Sequence, residues 1–134
     1  MQEHEVYAVK YGRHERRSSE NFIVGDEHDV PMPLDFYVWA IKSPDRTYVV
    51  DTGFSKEIGA RRQRQHLRSP GDGLKMIGVD TGKVEDVIVT HMHYDHAGNG
   101  DLFPRARYHL QDREIDFCTG RCMCHDIFRR SFEF

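Results

Sequence analysis

The segment Asp86-Val87-Ile88-Val89-Thr90 runs directly into His91-Met92-His93-Tyr94-Asp95-His96, which puts three imidazoles and a carboxylate within six residues of an apolar strand end. That junction constrains the fold more than any other feature. A short β-branched run of this kind is a strand buried on both faces. Its carboxyl end is where sites gather in sheets flanked by helices. Side chains two apart on extended backbone point the same way, so His91 and His93 can face one ion. Asp95 and His96 follow in a turn and can face a second position nearby. Ala97-Gly98 lets the backbone pass close by. Nitrogen donors with one carboxylate suit Zn²⁺, and also Fe, Mn or Co. One such histidine is usually a surface residue in a polar turn, but three with an aspartate in one loop make a metal site.

The rest of the chain supplies a sheet for this loop. Glu5 to Tyr11 alternates as a first strand. Gly12 to Pro33 is polar and reads as a long loop, of a length that is often functional. Asp35 to Lys42 and Arg46 to Val50 form a hairpin around Ser43-Pro44-Asp45. Asp51-Thr52-Gly53 ends it. Ser55 to Leu67 is predicted helical with Ser55 as N-cap, broken by Ser69-Pro70-Gly71-Asp72-Gly73. Gly73 to Ile77 is a second short helix ended by Gly78. A short helix near Asn99 to Phe103, a strand Ala106 to Leu110 and a helix from about Asp112 complete an α+β pattern, a mixed sheet with outer helices.

Composition narrows the function. With 134 residues and a net charge of −3, the chain fits one modest domain without global affinity for nucleic acid. No apolar run is long enough to cross a bilayer, and Met1-Gln2-Glu3-His4-Glu5 is not a secretory signal. Cys118, Cys122 and Cys124 are a poor disulfide framework and fit a reducing compartment, so a cytoplasmic location is expected. With His125 their spacing matches no zinc finger. Cys118 and Cys122 would share a helix face, as buried thiols. The basic run Arg61-Arg62-Gln63-Arg64-Gln65-His66-Leu67-Arg68 reads as a solvated helix face rather than a phosphate contact. Gly82-Lys83 lacks P-loop spacing, and no Gly-x-Ser-x-Gly elbow is present.

His91-x-His93-x-Asp95-His96 resembles the signature of the metallo-β-lactamase superfamily, and Val49-Val50-Asp51-Thr52-Gly53 resembles that superfamily's strand ending in Asp-Thr-Gly. Thr90 to Asn99, Leu102-Phe103-Pro104 with Ala106 to Gln111, and Pro33 to Trp39 are similar to the N-acyl-homoserine lactonases, the quorum-quenching branch. The resemblance implies an αβ/βα sandwich of which residues 1–134 form the N-terminal half of a single domain. The end on Ser131-Phe132-Glu133-Phe134 reads as cut. It also implies two divalent metal ions, with zinc the first choice. His91 and His93 would bind one, Asp95 and His96 the other, and further ligands would come from a second half.

The activity implied is opening of the lactone ring of N-acyl-homoserine lactones through a metal-bridging hydroxide, with Asp95 as both ligand and proton shuttle. A glyoxalase II-like thioesterase and an inactive fragment lacking the second-half ligands are the alternatives. The partner expected is a small acyl lactone, not nucleic acid or membrane, and a homodimer is compatible with it. Asp51 either orients the histidine loop by hydrogen bonds or closes a strand-end Asx turn. Met32, Phe36 and Phe54 are groove candidates for the acyl chain, with core packing the plainer role.

Overall fold

The computed structural model describes residues 3–25 and 27–133; Met1, Gln2 and Phe134, on which the readings of the two ends partly rest, lie outside them, as does Asp26. Strands β1 (Glu5–His14), β2 (Leu34–Lys42), β3 (Thr47–Val50), β4 (Gln65–His66), β5 (Asp86–Ile88) and β6 (Arg107–His109) form one sheet in the order β4-β1-β2-β3-β5-β6. The β4, β1, β2 and β3 pairings are antiparallel, and β3-β5 and β5-β6 are parallel. The mixed sheet expected from the sequence is therefore present. The helices are α1 (Ser18–Asn21), α2 (Lys56–Arg61), α3 (Pro70–Met76), α4 (Tyr94–Ala97), α5 (Asp112–Thr119) and α6 (Asp126–Arg129).

The core lies on one side of the sheet. Val9, Val38, Ala40, Val49 and Val87 face it from successive strands and are buried, and Leu74 of α3 and Phe54 pack onto them. Burying each valine, leucine or phenylalanine side chain among them stabilises the fold by roughly 1.5–3 kcal/mol. A bulge between Lys10 and Gly12 leaves Tyr11 as an extra residue in β1, fully buried beside Phe54 at 4.9 Å between ring centres. On the other side of the sheet Val6, Tyr37 and Trp39 remain 63%, 37% and 41% exposed. At the amino end of β5, buried Asp86 bonds Arg46 at 2.8 Å and His109 at 2.8 Å, tying β5 to β6 and to the turn that leads into β3.

Several expectations are corrected. The Gly12–Pro33 segment is not one loop: β1 continues to His14, α1 follows, and Arg17 pairs with Pro31. The helix expected over Ser55–Leu67 stops at Arg61. Ser55 does cap it, accepting from the Ile58 N–H at 3.2 Å. Gln63 then turns left-handed at φ 56°, and the Arg64 N–H reaches the Gly59 carbonyl at 2.7 Å, a Schellman ending that frees Gln65 and His66 to join β1. Ser69-Pro70-Gly71-Asp72-Gly73 is not a break but the start of α3. Ser69 caps Gly71 N–H at 3.2 Å, and Pro70 takes the first helical turn, where its missing N–H costs nothing. Gly73 lets α3 lie close on β1, since a Cβ there would stand 2.5 Å from Val9. Gly78 ends the helix as expected, at φ 76°. The helix expected near Asn99–Phe103 is a single 3₁₀ turn, Gly100–Leu102. The cysteines do not share a helix face, because α5 ends at Thr119. Cys118 is buried, Cys122 half-buried and Cys124 exposed, all as free thiols.

Candidate metal centre

The site sits where β3 and β5 end side by side. The Asp51 N–H donates to the Ile88 carbonyl at 2.8 Å, and the chain then turns sharply at φ 63°. A non-glycine residue in that region is strained unless its surroundings hold it. Here the side chain is what holds it. Asp51 is buried, its Oδ1 accepts from the Thr90 N–H at 2.8 Å, and both its oxygens lie 3.0 Å from the Thr90 hydroxyl. Its Oδ2 lies 2.7 Å from His96 Nδ1. A carboxylate accepts, so in the neutral ring the proton sits on Nδ1 and Nε2 keeps its lone pair. Of the two readings of Asp51, the geometry fits the one in which it orients the histidine loop.

Thr52 and Gly53 continue the cradle. The Thr52 N–H donates to the His96 carbonyl at 2.6 Å, and the Gly98 N–H to the Gly53 carbonyl at 2.9 Å. Asn99, buried, donates its N–H to Thr52 Oγ1 at 3.1 Å and its side-chain amide to the Thr52 carbonyl at 3.2 Å. Gly53 adopts φ 72°, and a Cβ there would lie 2.9 Å from both Pro70 and Tyr11. From the core, the Tyr11 hydroxyl donates to the Asp95 carbonyl at 2.7 Å, and from α5 Glu114 accepts the Met92 N–H at 2.8 Å.

These contacts gather the side chains singled out by the sequence. The rings of His91 and His93 are 4.5 Å apart, those of His91 and His96 3.9 Å, and Asp95 Oδ2 is 3.5 Å from His96 Nε2. All four are half-buried. Burial, with the charges of His96 and His93 added, holds the His91 pKa below its usual value and favours the neutral, ligating form. For His96 burial pulls the same way, but the Asp51 hydrogen bond and the charges of Asp95 and Asp51 outweigh it and raise the pKa. The donor chemistry, three imidazoles and one carboxylate, fits a divalent transition metal. Among the described residues no group of three or more His, Cys, Asp or Glu side chains is arranged to hold an ion by itself.

Of the groove candidates, Phe54 is fully buried core, Phe36 packs on it at 5.1 Å between ring centres, and Met32 is half-buried. Tyr11, Thr52, Asn99, Glu114 and Arg62 are the residues that sequence reasoning missed. Asn99 stood inside the quoted loop pattern. The others carry no local signal, because their partners are 22 or more residues away, except for Thr52 in its strand-end motif. The basic run is solvated in part: Arg61, Gln63, Gln65, Leu67 and Arg68 are exposed, whereas Arg62 and Arg64 are half-buried. Arg62 stacks on Tyr94 and pairs with Glu133, Arg61 pairs with Glu133, and Arg64 donates to His14 Nε2 at 2.9 Å and to the Tyr94 hydroxyl at 3.2 Å.

Comparison with known proteins agrees with this architecture. Residues 33–113 match the model of the metallo-beta-lactamase superfamily. The N-acyl homoserine lactonase AttM of Rhizobium johnstonii is 29% identical over 107 residues, 69% of this chain and 40% of that protein. A quorum-quenching N-acyl homoserine lactone lactonase of known structure superposes with TM-score 0.72 at 19% identity, over 90% of this chain and 51% of its own. An N-acyl homoserine lactone hydrolase, solved with N-hexanoyl-L-homoserine bound at its catalytic metal centre, gives TM-score 0.72 at 18% identity over 90% and 54%. The fold is therefore that of these enzymes. The chain spans about two fifths of the curated relative and about half of the solved ones.

Proposed function

Because the chain belongs to the metallo-β-lactamase superfamily, we propose that residues 1–134 are the N-terminal part of one such domain, in a metal-dependent hydrolase that opens N-acyl-homoserine lactones. The observation that carries this reading is the packing of His91, His93 and His96 into one loop, with His96 held through Nδ1 by Asp51. A ring fixed that way presents its other nitrogen in one direction, as metal ligands require. Likeness to AttM over 69% of the chain supports the lactone substrate.

His91 and His93 would hold one divalent ion, Asp95 and His96 a second, with the remaining donors outside these four residues. Such ions, when bound, provide hydroxide at neutral pH and polarise a carbonyl. The chain's own residues do the positioning. Asp51 and Thr90 orient His96, Tyr11 and Thr52 fix the backbone on either side of it, and Glu114 pins Met92. Opening the lactone breaks the acyl carbon–oxygen bond and leaves an alkoxide that must gain a proton. Water supplies the new bond to the acyl carbon, and we assign the proton transfer to Asp95, half-buried beside His96, whose carboxylate would take the proton that the attacking water gives up and pass it to the alkoxide.

The test uses the full-length protein prepared with zinc, assaying N-hexanoyl-homoserine lactone against a glutathione thioester of the same acyl chain. Turnover of the lactone with bound metal, lost on chelation and restored by zinc, is the expected result. Preference for the thioester would move the protein to the glyoxalase II-like branch. Metal uptake without either activity would overturn the lactonase reading.

A further inference from the structure

Arg61, Arg62 and Arg64 of the basic run join one contact network, and that network ends on a proposed metal ligand. Arg62, at the end of α2, lays its guanidinium 4.0 Å above the Tyr94 ring centre. Its Nε pairs with Glu133 at 2.6 Å, and its Nη groups donate to the carbonyls of Arg130 at 2.8 Å and Phe132 at 3.1 Å. Arg61 adds a second guanidinium on Glu133. The segment held this way is bonded to the histidine loop itself, since the Tyr94 N–H donates to the Ser131 carbonyl at 2.9 Å. Its buried Phe132 stands perpendicular to the His93 ring at 5.0 Å between centres. Arg62 is only 21% exposed, and the guanidinium fork is used on both sides: on a ring of the loop and on the backbone and carboxylate of the segment.

We propose that Arg62 is a positioning residue for His93: it clamps residues 130–133 onto the loop so that Phe132 fixes the orientation of the His93 ring. The proposal rests on the reading of His93 as a ligand. Asp51 performs the equivalent task for His96 through a hydrogen bond. His93 is oriented by an aromatic wall, the Phe132 ring, and Arg62 builds the wall. A lysine cannot replace it, because a single ammonium cannot lie over a ring and serve two carbonyls and a carboxylate at once.

The experiment uses the full-length protein with no metal bound, following the ring resonances of each histidine by NMR in wild type, Phe132→Leu and Arg62→Lys. Phe132→Leu removes the ring current and marks where His93 resonates without its wall. Arg62→Lys is expected to move His93 most of the way to that position while His96 stays in place. Cobalt titration of the same proteins, read by visible absorption, is expected to show about tenfold weaker uptake for Arg62→Lys. Glu133→Gln, a milder change, is expected to shift His93 in the same direction and serves if Arg62→Lys does not fold. His93 resonances unmoved in both variants would overturn the proposal. A wild type that takes up no cobalt would sink the ligand reading, while the His93 shifts would still decide whether Arg62 is a clamp.

Discussion

At the scale of single residues, the site depends on positions that satisfy two demands at once. Asp51 holds a left-handed backbone turn and orients a histidine; asparagine tolerates the same turn but gives the ring no charge to face. Asp51→Asn is therefore expected to melt within a few degrees of wild type while metal uptake weakens by about 10–100-fold. Calorimetry with a cobalt titration checks both, and equal loss of stability and affinity would assign Asp51 a purely structural role. The four side chains proposed as ligands are legible in the sequence because His91, His93, Asp95 and His96 are local to one loop. The residues that hold that loop are mostly not, because Tyr11 and Glu114 reach it from 84 and 22 residues away, and nothing local marks a hydroxyl or carboxylate whose partner is a distant backbone group.

Among elements, the strands were read more accurately than the connections. β2, β3 and β5 follow their β-branched and aromatic runs closely. The α2 to α3 connection departs from expectation at two points for one reason: residues typical of turns also serve as helix ends. Gln63 can terminate a helix in the left-handed region without being glycine, and Ser69-Pro70 opens one. The element contact with the clearest chemical signature is at the other end of β5. Asp86, buried between Arg46 and His109, has its pKa held below the ordinary carboxylate value, first by the His109 hydrogen bond and then by Arg46. A depressed native pKa means the unfolded chain binds the proton more readily. The contribution to stability is thus present above the unfolded carboxylate value and is lost as pH falls through the native one. We expect the melting temperature to decline below about pH 4, and Asp86→Asn to flatten that decline while lowering stability at neutral pH. Thermal melts across that range check it, and an unchanged acid limb in Asp86→Asn would place the loss elsewhere. Arg46 and His109 are half-exposed, so the effect is a modest one.

For the whole molecule, the sheet has one face packed and one open. Register puts Val6, Ala8, Tyr37, Trp39, Ile41, Tyr48 and Val50 on the same side, away from α3 and the core, with Val6 and Trp39 substantially exposed. Lys10, opposite Tyr37 and paired with Asp35 at 2.7 Å, shares this side, but a mostly apolar face of this kind is uncommon on a monomer and marks an interaction surface. Under the proposed domain assignment, sequence outside these residues covers it, in line with the chain spanning about half of the solved relatives. Residues 1–134 prepared alone should then associate through this face. Trp39, the only tryptophan, reports on it directly. In dilute solution its emission should be red-shifted and readily quenched by acrylamide. As concentration rises, sedimentation velocity should show larger species and the emission should move to the blue. Replacing Val6 and Trp39 together by lysine should suppress association without weakening the core, because neither side chain faces Val9, Val38 or Leu74. The full-length protein should instead show a protected Trp39 at every concentration. A sharp-melting monomer of residues 1–134 with Trp39 accessible throughout would mean that the face needs no cover, and the half-domain assignment would lose its main physical support.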